Sequence, residues 1–336
     1  MERADFEPNW FFVFLLTLAG IFIGALGFYI WVFNGNEPLG LQKIHPTNAT
    51  STYRFINPLF AVDTIEKRQF LEDTVIETKI NNIIQRAQRS GRVTSAAAYF
   101  RDFESGRWFS VNGDLQFSPG KVLKIPIMIA HFLKAQNNPG HLEQSLTYAI
   151  DPVLTENATS SLVPGRAYTV QELIEAMLNR KDGNATGVLF DNLDPDSLRE
   201  IYTDLGIGFP EEKLADDFIS IKQFALFFRV LYNATYLNRV YSEQALEILS
   251  HGDRGGGFSR NLPGGIVIAH RQRIRPFSHG NKQFTESHDC GIVYYPNHPY
   301  LLCLMGIGAE ASSLNDLFDQ ISRVSYAEMA TRYRGR

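Results

Sequence analysis

Apolar positions recur along this chain with more than one period, and the changes of period mark out its parts. From Trp10 to Phe33 there is no alternation at all: the run WFFVFLLTLAGIFIGALGFYIWVF carries no charge. Its 24 residues, rising about 1.5 Å each, reach roughly 36 Å, enough to cross a hydrocarbon core of about 30 Å with some tilt. Trp10 at one end and Tyr29 and Trp31 at the other suit the two membrane interfaces. A cleaved signal peptide has a shorter apolar core, and FYIWVFNG offers no small-x-small cleavage pattern, so a retained signal anchor is expected. Residues 1–9 are then a short tail. Arg3 and the α-amine precede the span, while the next basic residue is Lys43, so the positive-inside rule favours a cytoplasmic N-terminus. Everything after Phe33 is expected outside the cell membrane.

Residues 34–52 are polar and rich in Gly, Pro, Asn and Thr, which reads as a linker. The segment 53–60 is too apolar for a free linker and is expected to dock on the domain that follows. From Thr64 to Ser90, Phe70, Leu71, Val75, Ile76, Ile80, Ile83 and Ile84 fall at helical spacing and predict an amphipathic helix. A strand over 93–102, a turn at 104–107 and a second strand make a hairpin. The middle third is helical, over 122–135, 169–178, 184–193, 195–205, 220–232 and 242–249. Ser220 and Ser242 stand where N-caps belong. Strands return at 265–271, 290–295 and 300–307, and a helix from Leu314 to about Tyr333 closes the chain. Strands at both ends around a helical middle predict one α+β domain over 53–336, its antiparallel sheet pairing the two ends of the chain.

Composition narrows the function only by exclusion. With 44% apolar residues and a net charge of −4 the chain is an ordinary globular protein, with no basic excess for nucleic acid. Nothing in it calls for a metal or a cofactor. Cys290 and Cys303 fall on successive strand-like runs and are either buried thiols or a hairpin disulfide.

Candidate chemistry comes from short segments in a particular order. Phe117-Ser-Pro-Gly-Lys-Val-Leu-Lys-Ile-Pro-Ile-Met128 resembles the active-site helix of the class A serine β-lactamases and penicillin-binding, DD-peptidase-like proteins. In that family the helix opens with a serine, and a lysine follows one turn later on the same face. Here Lys124 matches the lysine and Lys121 stands in the serine's place. Residues 141–150 resemble the family's connection to its second motif, the S-D-N loop, which reads here as Lys181-Asp182-Gly183. Residues 262–273 resemble the strand bearing K-T-G, which reads here as Arg271-Gln272-Arg273, and 288–296 resemble the strand after it. The resemblance covers about 53–336 and implies the β-lactamase/transpeptidase-like fold, preceded by one transmembrane helix.

The departures bear on activity. In the family the serine hydroxyl attacks a lactam or peptide carbonyl, the second-motif serine relays protons, and the third motif flanks the substrate. An ammonium has no lone pair to attack with, and Lys121 and Lys124 at i, i+3 are close enough to repel. Lys181 cannot relay protons as a hydroxyl does, and Arg273 replaces a glycine beside the substrate's path. No glutamate between Thr186 and Ser220 lies in an E-x-x-x-N loop. The expectation is a catalytically inactive, membrane-anchored domain. Its cleft would gather Lys121, Lys124, Lys181, Arg271 and Arg273 and hold a carboxylate-bearing or peptidoglycan-like ligand, or a β-lactam-like anion. Two alternatives stay open: a hydrolase or peptidase with a relocated nucleophile, Ser118 or Lys121, and a purely structural interaction module. Ser118-Pro-Gly-Lys121 is itself an S-x-x-K, although Ser118 before Pro119 is also well placed as an N-cap.

Overall fold

The computed structural model describes residues 53–57, 73–118, 124–150, 162–209 and 219–334. The expected membrane span at 10–33, the linker, residues 58–60 of the expected docking segment, residues 64–72 of the expected first helix and Lys121 all lie outside the described residues. Among the described residues no helix is long and apolar enough to cross a membrane.

The helices are α1 (Thr74–Arg89), α2 (Lys124–Asn137), α3 (Val170–Asn179), α4 (Gly183–Asp191), α5 (Pro195–Asp204), α6 (Ile221–Tyr232), α7 (Arg239–Ser250) and α8 (Ala311–Arg332). The main sheet has five strands in the order β2 (Trp108–Val111), β1 (Val93–Asp102), β9 (Tyr300–Gly308), β8 (Lys282–Val293), β7 (Ile268–His279). All its pairings are antiparallel, and β1 on β9 joins the two ends of the chain. Two short ladders, β3 (Gln116–Phe117) with β6 (Ile219–Ser220) and β4 (Ser145–Thr147) with β5 (Ala167–Thr169), brace the helical part.

The sheet is covered on both faces, so β1 and β9 read as almost continuous apolar runs rather than alternating ones. Ala96, Ala98 and Phe100 of β1, with Leu302 and Leu304 of β9, pack against Ile76 and Ile80 of α1 and Leu314 and Phe318 of α8. Ala97, Tyr99, Leu301, Cys303 and Met305 point the other way, onto a core filled by Ile125, Ile129 and Phe132 of α2 and Phe224, Phe227 and Phe228 of α6. Each of the Leu, Ile, Met and Phe side chains among these stabilises by about 1.5–3 kcal/mol relative to exposure. Arg332 at the end of α8 ties the first face together, pairing with Asp73 before α1 and with Asp102 at 2.9 Å. Burial alone would raise the Asp102 carboxyl, but hydrogen bonds from Ser105, Tyr333 and Arg332 outweigh it and hold it below the usual range.

The segment Tyr53–Asn57 docks as its sequence predicts. Phe55 and Ile56 enter the core, and Glu243 accepts the backbone N–H groups of Arg54, Phe55 and Ile56 at 2.5–3.0 Å. Two details differ from expectation, and one open alternative is decided. Helix α7 starts at Arg239 under an Asn238 cap, while Ser242 is buried inside it and donates to the Leu237 carbonyl. Strand β7 runs on to His279 and turns directly into β8, because its outer half is polar and carries no apolar alternation to read. Cys290 and Cys303 stand opposite each other on β8 and β9 and are joined as a disulfide, which removes the thiol alternative.

Candidate functional site

The first-motif helix is the buried axis of the helical part. Phe117 is pinned in the β3–β6 ladder opposite Ile219, and Ser118 follows it. From Lys124 to Phe132 every residue of α2 is buried, and Pro126 is tolerated because it lies in the first turn. Lys124 is itself only 8% exposed, and its Nζ donates to the Met177 carbonyl at 3.3 Å.

The second motif hangs between two helices. Helix α3 opens with a reciprocal capping box, Thr169 with Glu172, and ends at Asn179. Lys181 then takes a left-handed backbone conformation, φ 57°, which turns the chain into α4. Asp182 caps α4: it is fully buried and accepts the Ala185 N–H at 2.9 Å and the Tyr148 hydroxyl at 3.0 Å. Lys181 points outward to Asp253 at 3.3 Å, both side chains about half exposed. The Gly255 N–H and Lys181 hold the Asp253 carboxyl below the usual range against a partial burial.

The third motif lies on β7, where side chains alternate between the two faces of the sheet. Arg271 crosses to the helical part and donates to the Leu178 carbonyl at 2.8 Å. Lys124 and Arg271 therefore both end on carbonyls of the last turn of α3, where the helix presents its partial negative charge. Gln272 faces the opposite side, donating to Asn315 of α8 at 3.3 Å, and does not join the other motif residues. Beneath it, the buried pair His270 and Asp289, 2.9 Å apart, fixes the Gly257–Ser259 turn through the Phe258 N–H. Gly257 has φ 62°, and a Cβ there would lie 1.9 Å from the Asp289 carboxylate, so this turn admits only glycine.

Arg273 and Arg275 share the face of β7 that carries Arg271. Opposite them on β8 are His288 and Glu286. Glu286 is buried; its Oε2 accepts from Arg275 at 2.5 Å, and its Oε1 accepts the Ser118 N–H at 2.9 Å. His288 Nε2 sits 3.0 Å from the same Oε1, close but poorly directed for a hydrogen bond. Burial would raise the Glu286 carboxyl; His288 and Arg275 outweigh it and keep it low.

The structure thus gathers Lys124, Lys181, Asp182, Gly183 and Arg271 around the C-terminal turn of α3, with Arg273 next along β7. Ser118 does not face them as an accessible hydroxyl. It is buried, and its Oγ has no hydrogen-bond partner among the described residues. Sequence reasoning missed Arg275, Glu286, His288 and Asp253. Period-2 alternation from Arg271 onward would have put Arg275 on the same face, and Glu286 and His288 follow from the same rule on β8. Among the described residues no group of three metal-ligating side chains comes together.

Residues 75–329 match the model of the β-lactamase enzyme family. The chain belongs to this family. No curated protein sequence matches it. Among solved structures, PBP-A is 22% identical with a TM-score of 0.64, the alignment covering 77% of this chain and 97% of that one. A mutant of PBP-A described as an acyl-enzyme complex with penicillin G aligns equally well, at 22% identity and a TM-score of 0.64 over 77% and 98% of the two chains. A β-lactamase from Chitinophaga pinensis is 18% identical with a TM-score of 0.65, over 76% of this chain and 99% of that one. At these identities the likeness establishes the β-lactamase/transpeptidase-like α+β fold. The chemistry of this β-lactamase-family chain has to be argued from its own residues.

Proposed function

We propose that this β-lactamase-family protein is a pseudoenzyme: it performs no acyl transfer, and its basic cleft receives a carboxylate-bearing ligand of the cell-wall peptide type. The observation that carries the reading is the identity and placing of the side chains around the α3 terminus. Lys181 occupies the position of the family's relay serine and reaches Asp253 instead of a nucleophile. Arg271 is committed to the Leu178 carbonyl. Among the described residues, Lys124, Lys181, Arg271, Arg273 and Arg275 outnumber the carboxylates of Asp182, Asp253 and Glu286, and Asp182 serves as a helix cap. A surplus of positive charge against low-dielectric walls concentrates anions. It does not supply a nucleophile. Ser118, the alternative nucleophile, is sealed in, and its N–H is held by Glu286. Lys121 could attack only as a neutral amine, and the amide so formed would not turn over.

On this reading the domain lies outside the cell membrane, held there by residues 10–33 as a single-pass anchor with a cytoplasmic N-terminus. The Cys290–Cys303 disulfide suits an oxidising compartment of that kind. A second reading, a purely structural interaction module, is favoured by the internal pairing of Lys181 with Asp253 and Arg275 with Glu286.

The test is titration of the full chain in detergent micelles with an N-acylated D-alanyl-D-alanine peptide, followed by calorimetry and by mass analysis of the peptide. The expected result is saturable binding that weakens as salt rises, is reduced in Arg273→Ala, and leaves the peptide intact. Absence of binding at millimolar peptide would favour the structural module, and release of D-alanine would establish a peptidase.

A further inference from the structure

A buried carboxylate stands in the middle of the positive strip, and the proposed function does not use it. Glu286 is 1% exposed, and groups from separate segments converge on it: the Ser118 N–H ahead of α2, Arg275 from the edge strand β7, and His288 from its own strand. Removing a carboxylate from water is costly, so Glu286 remains charged there because these groups replace its hydration. The converse holds as well. Without Glu286, a guanidinium, an imidazole and an amide N–H would be left facing one another with no anion between them. Together they form a carboxylate receptor whose occupant belongs to the same chain.

We propose that this receptor is an anion seat filled in the native chain by Glu286, and that a carboxylate-bearing ligand of the cleft binds beside it by drawing Arg275 away from Glu286. The proposal rests on the reading that the cleft takes an anionic ligand. Arg275 is the exchangeable member. Its side chain is 27% exposed, whereas His288 and Ser118 are almost fully buried. Its guanidinium already lies over the Phe277 ring, 5.2 Å from the centroid, and Phe277 stacks on Phe284 across the hairpin at 5.6 Å. This half-exposed aromatic surface gives the guanidinium a resting place while its partner changes. Glu286 keeps the Ser118 N–H and His288 throughout, so neither is left bare. Ligand affinity in the native chain is therefore lowered by the cost of parting Arg275 from Glu286.

Two variants of the full chain in micelles test this. Glu286→Ala empties the seat, and acetate or formate is expected to raise its melting temperature well beyond the effect of chloride at the same ionic strength, with no such difference in the native chain. Glu286→Gln keeps the shape but frees the charge of Arg275, and is expected to bind N-acetyl-D-alanine about fivefold or more tightly than the native chain. Adding Arg275→Ala is expected to abolish that gain. A folded Glu286→Ala indifferent to acetate, or a Glu286→Gln with native affinity, overturns the proposal. The two readings fail separately. Acetate uptake by Glu286→Ala without peptide binding by the native chain keeps the seat and rejects the ligand reading. Native peptide binding that neither variant alters does the reverse.

Discussion

Replacing Asp182 with alanine removes two interactions that can be costed from the structure. The carboxylate is the N-cap of α4, accepting the Ala185 N–H at 2.9 Å, and loss of such a cap costs about 1 kcal/mol, within a range of about 0.5–2. It also accepts the hydroxyl of Tyr148 at 3.0 Å in the protein interior, and loss of a hydrogen bond to a charged group costs about 1.5–3 kcal/mol. The sum is roughly 2–4 kcal/mol. For a domain of this size each kcal/mol lowers Tm by about 2–4 °C, giving an expected fall of roughly 4–16 °C, read by circular dichroism with thermal and urea denaturation. Asp182→Asn retains a capping oxygen and is expected to lose only about 1 kcal/mol. Lys181→Ser next to it removes only an exposed ion pair, worth about 0–1 kcal/mol, and should be close to neutral. The pair of results is expected to show that Asp182 holds the fold while the side chain at 181 contributes little to it. If Asp182→Ala melts with the native protein, or Lys181→Ser is as damaging as Asp182→Ala, that reasoning is wrong.

Further outcomes follow from other contacts. Glu243→Ala is expected to free the backbone of Arg54, Phe55 and Ile56, seen as faster amide exchange at those residues and protease cleavage nearby, with the rest of the domain unchanged. Burial lowers His131 to about 4 from 6.5, with His141 Nε2 3.0 Å from its Nδ1. The unfolded chain therefore binds more protons between those values, and stability should fall as pH drops from about 6.5 toward 4. His131→Asn should flatten that slope, whereas Glu286 and Asp102, held low, lose their contribution only as pH falls further, below the usual carboxylate range. Unreduced protein should show no free thiol, and reduction should add the mass of two hydrogens for the Cys290–Cys303 bridge.

The layout of the fold was legible because it rests on periodicity and local signals. The isoleucines of α1, the run of β9 and the box at Thr169–Glu172 each mark their element without tertiary information. Element edges were harder. Asn238 and Ser242 are both good caps, and only the buried position of Ser242 against the Leu237 carbonyl decides between them. The β7–β8 hairpin was not read beyond Arg271 because its outer half is rich in polar residues, and its tip, 277–279 with 282–284, extends past the end of β9. The motif positions were assigned by order and context, and the ending of Lys124 and Arg271 on one helix terminus was not part of that reading. The partners of these positions could not be found in that way. Arg271 finds the Leu178 carbonyl 93 residues away, and Glu286 meets Ser118 across 168 residues, pairings set by packing rather than by any local pattern. The turning of Gln272 away from the motif residues was equally hidden, although strict alternation from Arg271 would have suggested it.

The most direct test of the inactive-site account is intact-mass analysis of the full chain after incubation with a large excess of penicillin. The account predicts a mass unchanged from that of the untreated protein, at neutral pH and over hours. A stoichiometric penicilloyl adduct mapped to Ser118 or Lys121 would contradict it and make the chain an acyl-transfer enzyme with a relocated nucleophile.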